Sequence, residues 1–459
     1  MQAPQFPSAR NAKWQLLIAA KLLTEQRTVE LQTSPFDVAR FVASWRAHGA
    51  PMRILLAVSG GSDSMALLRI AAEARQQAEE KERFSIVAAT VNHGLRTEAL
   101  AEAHQVGAWC SAINVPFLQL DWTGKKPATG IQSAARTMRY RLLVEAAIAQ
   151  KCDVIMTGHT QDDLAETVLM RLRRASGARG LASMMTRFSI ASGPSVPIPL
   201  VRPLLAARRD DLKRYLRGID QPYLSDPSND DLAYERIRIR RSLANGESDY
   251  DHRSLVVKAR EAHHEKQTAE HQEQGRFKIL NGALSEWGGA SLIHTALDLT
   301  SKTDIGLVAR LIRAVGAEDN RRSDGDVVTA LENALATHSA TLGGVLLKRK
   351  KEQLWFVREP AALLGRANVP PLQAVPLLPG KTILWDRRFL IKNLGDKPAK
   401  VTPWGRRSAE VTLPPIKEAL WILPAIEFEG FLSESPLDQR NCQVNSLLGE
   451  RFNGATIRF

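Results

Sequence analysis

The sequence predicts an α/β fold: a parallel sheet with helices on both faces, followed by a mainly helical domain and a small α+β C-terminal domain. Three observations predict it. From residue 53, short apolar runs alternate with helical stretches, as strand–helix–strand units do. Loops rich in Gly, Asp and His follow three of those runs. Past Pro203 the alternation stops, and a charged, helix-prone region extends from about Glu235 to Gln274.

Ile54–Val58 is an unbroken apolar run, as expected of a strand covered on both faces. The loop Ser59–Ser64 (SGGSDS) follows, and a helical pattern covers Ala66–Ala78. Ile86–Val91 is the second strand, Glu98–Ile113 a helix, Phe117–Leu120 the third strand, Ala134–Ala149 a helix and Val154–Thr157 the fourth strand. Gly158–Asp163 leads into a further helix. Pro222, Pro227 and the polar cluster Ser225–Asp231 mark a boundary or exposed loop. Thr341–Arg358 reads as a β-hairpin with a basic turn, and Pro360–Pro379 as a proline-rich linker.

At 459 residues and 44% hydrophobic content, the chain can bury a large core divided among two or three domains. A net charge of +13 suits an encounter with a polyanion, although dispersed charge also serves solubility. Its three cysteines, Cys110, Cys152 and Cys442, lie far apart; this excludes a disulfide scaffold or zinc ribbon and suits a reducing, cytoplasmic setting. No run approaches the roughly 20 apolar residues that span a bilayer. Leu16–Ala20 is cut short by Lys21 and reads as part of a short amphipathic helix, not a signal peptide.

In parallel sheets ligands sit beyond the carboxyl ends of the strands, so the three loops should converge on one cleft. In Ser59–Ser64 the glycines allow a tight turn whose amide N–H groups point at one spot, with the positive end of a helix behind them. Such a loop binds phosphate. Asp63 would repel phosphate unless a cation lay between them, which implies Mg²⁺ with a nucleotide. No Gly-Lys-Ser/Thr follows, which argues against a Walker loop. The plainer reading is a turn capped by Ser62 or Asp63.

In the second loop, His93 and Arg96 can stabilise negative charge on nucleotide phosphates or on a reacting oxygen. In the third, Asp162 and Glu166 are four residues apart on one helix face. They either cap the helix or, with His159, receive an amine or Mg²⁺ and take a proton from an attacking ammonium. Arg136 and Arg139, with Tyr140 beside them, can contact phosphates or stack on a base. Arg236–Arg241 holds four arginines, for RNA backbone or for a solvated face. His252, His263, His264 and His271 are read as a solvated helix surface, not a metal site.

Ser59–Ser64 resembles the SGGxDS signature of the PP-loop (N-type) ATP pyrophosphatases, which split ATP to AMP and pyrophosphate while adenylating an oxygen. SGGSDSMALL, VNHGLR, AARTMRY, GHTQDDLAETVLMRL, Arg202-Pro-Leu-Leu205 and Asp226–Arg236 together resemble the tRNA(Ile)-lysidine synthetase family. The likeness is strong over residues 50–240 and loose over 241–358. It implies an N-terminal extension over 1–49 and a Rossmann-like PP-loop catalytic domain over 50–240. A mainly helical tRNA-contacting domain over 241–359, a linker over 360–379 and a small α+β domain over 380–459 complete the chain.

The implied reaction joins lysine to C2 of the wobble cytidine of an isoleucine tRNA, with ATP as co-substrate and Mg²⁺. On that reading Ser59, Gly60, Gly61, Ser62, Asp63 and Ser64 hold ATP with His93 and Arg96, and Asp63 holds the metal. Asp63, His159, Asp162 and Arg136 are the catalytic candidates. Asp162, Glu166, Arg139, Arg202 and Arg236 are the candidates for lysine and tRNA contact. The partners are an isoleucine-type tRNA and free lysine, with no membrane and with homodimerisation left open. The alternatives are a tRNA thiolase, which the cysteine spacing opposes, a small-molecule adenylating synthetase, and an RNA-binding protein switched by ATP.

Overall fold

A computed structural model of the chain describes residues 37–459 except 80–82, 183, 185, 226–234, 320, 368–369, 408–415, 429–430, 433–440, 454, 456 and 459. The helix expected around Leu16–Ala20 and most of the Ser225–Asp231 cluster lie outside the described residues. Two compact units emerge. The first runs to Ser192, resumes over Ile198–Lys266 and takes in Arg458; the second takes Gly193–Pro197 and Gln267–Ile457. Among the described residues, no helix is long and apolar enough to cross a membrane.

The first unit alternates as expected: α1 (Val38–Ala47), β1 (Arg53–Ala57), α2 (Ser62–Gln77), β2 (Ser85–Asn92), α3 (Ala99–Ala112), β3 (Phe117–Asp121), α4 (Ile131–Ala149), β4 (Val154–Thr157) and α5 (Gln161–Arg173). The short α6 (Ala178–Leu181), then β5 (Arg187–Ile190), β6 (Ile198–Val201), α7 (Arg209–Gly218) and α8 (Glu235–Ala244) follow. The helix α9 (His252–Ile279) begins in this unit. The sheet runs β5-β6-β4-β1-β2-β3, parallel throughout except for β5, which pairs antiparallel with β6. A two-residue strand, Ile457–Arg458, is its seventh. The sequence pattern did not reveal β5 and β6, because Gly193, Pro194, Pro197 and Pro199 break up their alternation.

Alternate β1 residues feed two cores. Ile54 and Leu56 pack with α1, α2, α3 and α7, whereas Leu55 and Ala57 pack with Leu143, Val144 and Ala147 of α4. Both faces are thus covered, which is why β1 carries no polar residue after Arg53. A third core joins α5 (Leu164, Ala165, Val168) to Ile239 of α8 and to Leu255, Val256 and Ala259 of α9. That packing brings two later helices to the start of α5.

Two glycines set the close approach of the loops. Gly60 has φ +86°, and a Cβ there would lie 2.4 Å from Leu224 Cδ1. A Cβ on Gly158 would lie 2.8 Å from the Asp63 carbonyl oxygen and 3.0 Å from Ser64 Cα, so the β4 loop rests directly on the β1 loop.

The second unit is built on a five-stranded antiparallel sheet of β7 (Ala283–Leu284), β8 (Ala290–Ile293), β9 (Ser339–Leu342), β10 (Val345–Lys350) and β11 (Gln353–Arg358), in the order β7-β8-β11-β10-β9. The hairpin expected over 341–358 is β10–β11, turning at Lys351-Glu352. Helices α10 (Lys302–Gly316) and α11 (Asp324–Thr337) pack on this sheet, and the Phe452 ring meets Phe277 at a tilt, with centroids 4.7 Å apart. Further on, four- and three-stranded sheets share a core around Trp385, Phe389 and Ile391. Within 360–379, Pro360–Leu364 is helical, Val375–Leu377 is a strand, and Leu363 and Leu377 are fully buried.

The Gly158 contact is with backbone, which cannot swing aside. Gly158→Ala is expected to cost about 1–3 kcal/mol in urea unfolding and to weaken nucleotide binding. Gly325→Ala, in open space within a helix, is expected to leave stability unchanged or slightly higher.

Candidate active site

The three loops meet at the carboxyl edge of the sheet, as the order of strands dictates. In Ser59–Ser64, the Ser64 hydroxyl ties the turn together: it donates to the Gly61 carbonyl at 3.0 Å and accepts from Ser59 N–H at 3.1 Å. α2 starts at Ser62 and has no side-chain cap, so its first amides face outward. Among the described residues, the N–H groups of Gly60, Gly61, Ser62 and Asp63 meet no protein acceptor. A nest of free main-chain donors at a helix start attracts phosphate.

Beside the loop lies a buried cluster of opposed charges. Thr160 caps α5, and the capping box is complete, with Asp163 Oδ2 accepting from Thr160 N–H at 2.7 Å. This turns Asp163 Oδ1 toward the guanidinium groups of Arg236, at 2.8 Å, and Arg209, at 3.2 Å. Glu166, 1% exposed, accepts from Arg236 Nε at 2.7 Å, Arg240 Nε at 2.8 Å and Arg209 Nη1 at 3.2 Å. Arg209 Nε reaches Asp63 Oδ2 at 2.9 Å, and Arg209 N–H donates to Asp162 Oδ2 at 2.8 Å. Asp162 therefore caps α7 from a neighbouring helix, where its charge suits the positive helix end. Arg208 Nε lies 3.4 Å from Asp162 Oδ2, and His252 Nε2 lies 3.3 Å from Asp162 Oδ1.

Burial pushes the Asp63 carboxyl above its ordinary range, although Arg209 pulls the other way. Burial would raise Glu166 too, but Arg236 and Arg240 outweigh it and hold that carboxyl low. Burial lowers the pKa of Arg209, but Asp63, Asp163 and Glu166 outweigh it and raise that guanidinium above its ordinary range.

A second group of side chains is cationic and aromatic. Arg202, almost fully buried after β6, lies over the Phe188 ring at 4.7 Å, and exposed Arg136 lies over Tyr140 at 5.0 Å. His93 meets Trp122 edge-on at 6.0 Å, and Lys126 sits over the same indole at 5.5 Å. The His159 ring nitrogen Nδ1 is 2.8 Å from Thr157 Oγ1. Burial, then Arg202, Arg139, Arg236 and Arg136, hold His159 well below the usual histidine range. Burial, then Arg139 and Lys126, lower His93 as well. These imidazoles are neutral hydrogen-bonding groups at pH 7.

Asp63, Asp162, Glu166 and Arg236 thus come together in the ionic cluster, and His159, Arg139, Arg136 and Arg202 share one positive field beside it. Arg96 is paired with Glu102 at 2.7 Å. Sequence reasoning gave no role to Asp163, Arg208 or Arg209, and it read Arg240 for RNA backbone or a solvated face and His252 for a solvated surface. Thr160-x-x-Asp163 is a capping signature that could have flagged Asp163. α8 resolves the Arg236–Arg241 run: Arg236 and Arg240 share a face, and Ile239 beside them is fully buried. His252, expected on a solvated surface, faces Asp162. Cys110 and Cys152 are buried, and burial pushes their thiols up to about 12 and about 11, so neither is a thiolate at neutral pH.

The PP-loop domain family matches residues 36–247. A tRNA(Ile)-lysidine synthase from Brucella anthropi is 34% identical over 401 residues, spanning 83% of this chain and 84% of the relative. One from Rhodopseudomonas palustris is 42% identical over 224 residues, spanning 49% of this chain and 62% of the relative. One from Rhizobium meliloti is 40% identical over 211 residues, spanning 43% and 45%.

Removing one partner from a buried ionic cluster strands the others. Glu166→Ala is expected to lower unfolding free energy by about 3–5 kcal/mol, against at most about 1 kcal/mol for breaking the exposed Arg141–Glu145 pair. His93, His159 and His252 all have depressed pKa values. Their stability contribution is therefore present above pH 6.5 and lost as pH falls toward their folded values. Asp63, which is raised, acts in the opposite sense. Melting curves from pH 7.5 to 5.5 should show falling stability, and His159→Asn should flatten that slope by up to about 1.4 kcal/mol per pH unit.

Proposed function

The chain belongs to the tRNA(Ile)-lysidine synthase family, ATP-using enzymes with a PP-loop domain, and from that membership we propose that it ligates lysine to C2 of the wobble cytidine of an isoleucine tRNA, releasing AMP and pyrophosphate. One observation carries the reading: a loop of free amide donors stands beside a buried carboxylate cluster at a single sheet edge.

The chemistry needs both halves. The C2 oxygen of cytosine leaves badly until it is adenylated, after which an amine can displace it. The Gly60–Asp63 amides are suited to receive the phosphates, and much of the gain comes from positioning. The positive field of Arg136, Arg139 and Arg202, with neutral His93 and His159 within it, suits the polyanionic substrate. On this reading Asp162, whose carboxylate lies beside His252, accepts the proton of the attacking amine. Asp163 and Glu166, already binding guanidinium ions, offer the acceptor set that a lysine ammonium requires.

The donor set also fits Mg²⁺. Asp63 Oδ2 already takes a cationic partner, the guanidinium of Arg209, and carboxylate oxygen is a hard ligand of the kind magnesium prefers. Mg²⁺ held by Asp63 would neutralise phosphate charge.

The test is an assay of purified protein with ATP, labelled lysine, and either isoleucine or methionine tRNA. Lysine incorporation into the isoleucine tRNA with matching AMP release is expected. No AMP with either tRNA would overturn the proposal. Asp63→Ala is expected to abolish AMP formation while keeping the wild-type circular dichroism; retained turnover would remove Asp63 from its role.

A further inference from the structure

The geometry points to Arg209 as an ionic latch: its guanidinium holds the Asp63 oxygen that a divalent cation needs, and must leave it when cation and nucleotide load. This rests on the cation-binding reading of Asp63 given above.

The three carboxylates gripped by Arg209 are not equally dependent on it. Asp163 also pairs with Arg236, and Glu166 with both Arg236 and Arg240. Asp63, among the described residues, pairs with Arg209 alone; its other oxygen accepts only the Ser62 hydroxyl, at 3.0 Å. Departure of Arg209 therefore leaves Asp163 and Glu166 neutralised and exposes one buried charge, that of Asp63. An arriving divalent cation compensates that charge, so the exchange leaves no orphan behind. Among the described residues of the cluster, Arg209 is the arginine that reaches Asp63, so its movement is the one that changes the charge balance at that carboxylate.

Its backbone is tethered meanwhile. The Arg209 N–H is bonded to Asp162 Oδ2 at 2.8 Å, and just upstream Ala207 O accepts from Gln161 N–H at 2.9 Å. Only the side chain swings. A released guanidinium beside the Ser59–Ser64 amides is drawn to phosphate oxygens, for which its planar fork is suited. The same movement opens an acceptor position on Asp163 and on Glu166. Loading at the loop is thereby coupled to the carboxylates offered to the amine, and Arg209 is a positioning residue for the reaction.

The test uses Mn²⁺ alone as probe, without ATP, with free ion followed by electron paramagnetic resonance. Arg209→Met is expected to bind Mn²⁺ about ten-fold tighter than the wild type, the scale of one close charge pair. Equal or weaker affinity in a variant with wild-type near-ultraviolet circular dichroism overturns the latch. If Arg209→Met does not fold, Arg209→Lys takes its place: one ammonium cannot satisfy three carboxylates, so tighter Mn²⁺ binding is still expected, and unchanged affinity overturns the latch. Asp63→Asn separates the two readings. Loss of Mn²⁺ binding in D63N with no gain in R209M sinks the latch alone. Binding as tight in D63N/R209M as in R209M means that the ion sits elsewhere, and sinks the Asp63 reading together with the latch.

Discussion

Asp63, Asp162, Asp163 and Glu166 lie close together and largely out of water, and everything at this sheet edge depends on how their charge is balanced. Four like charges in such a place are untenable alone, because each loses its hydration and repels the others. Arg208, Arg209, Arg236 and Arg240 supply the balance, and His252 adds a neutral partner to Asp162. A buried ionic cluster of this kind adds little net stability, since desolvation offsets most of the attraction. What it does provide is orientation: Asp63, Asp162 and Asp163 are each fixed between a guanidinium and backbone, hydroxyl or imidazole partners, and Glu166 is fixed among guanidinium groups.

The apolar packing exists to bring those charges together. β1, β2 and β4 are held between two cores, so their following loops emerge side by side. Gly158 then lets the β4 loop rest on the β1 loop, and Gly60 lets Leu224 close on that same loop. The third core seats α8 and the start of α9 against α5, and burial of Ile239 alone contributes about 1.5–3 kcal/mol to that docking. With Ile239 fixed inward, Arg236 and Arg240 can only face Glu166. Stability and function draw on the same contacts here, the apolar side holding the helix and the charged side shaping the site.

Much of this was legible in the chain itself. The strand at 154–157 was placed to the residue, the other three to within one residue at each end, and Ser59–Ser64, Asp63, Asp162 and Glu166 were all singled out. α2 and α4 begin several residues earlier than their apolar patterns suggested, because Ser62, Asp63, Gln132 and Ser133 are polar first-turn residues that periodicity does not register. β5 and β6 were hidden by proline and glycine. Arg209 was hidden for another reason: in sequence it is one arginine in an Arg-Arg-Asp-Asp run, the ordinary composition of a solvated helix start.

The sequence by itself determined the local events, because these need only neighbours along the chain: a glycine turn after an apolar strand, a helix opening at once behind it, a capped helix carrying two acids one turn apart. Tertiary structure alone decided which cation meets which carboxylate. Arg209 lies 146 residues from Asp63, and Arg240 lies 74 from Glu166. No periodicity spans such distances. Those pairings are set by the close packing of Ile239, Leu164 and Leu255, and by the desolvation that makes an unpaired charge there too costly to leave alone.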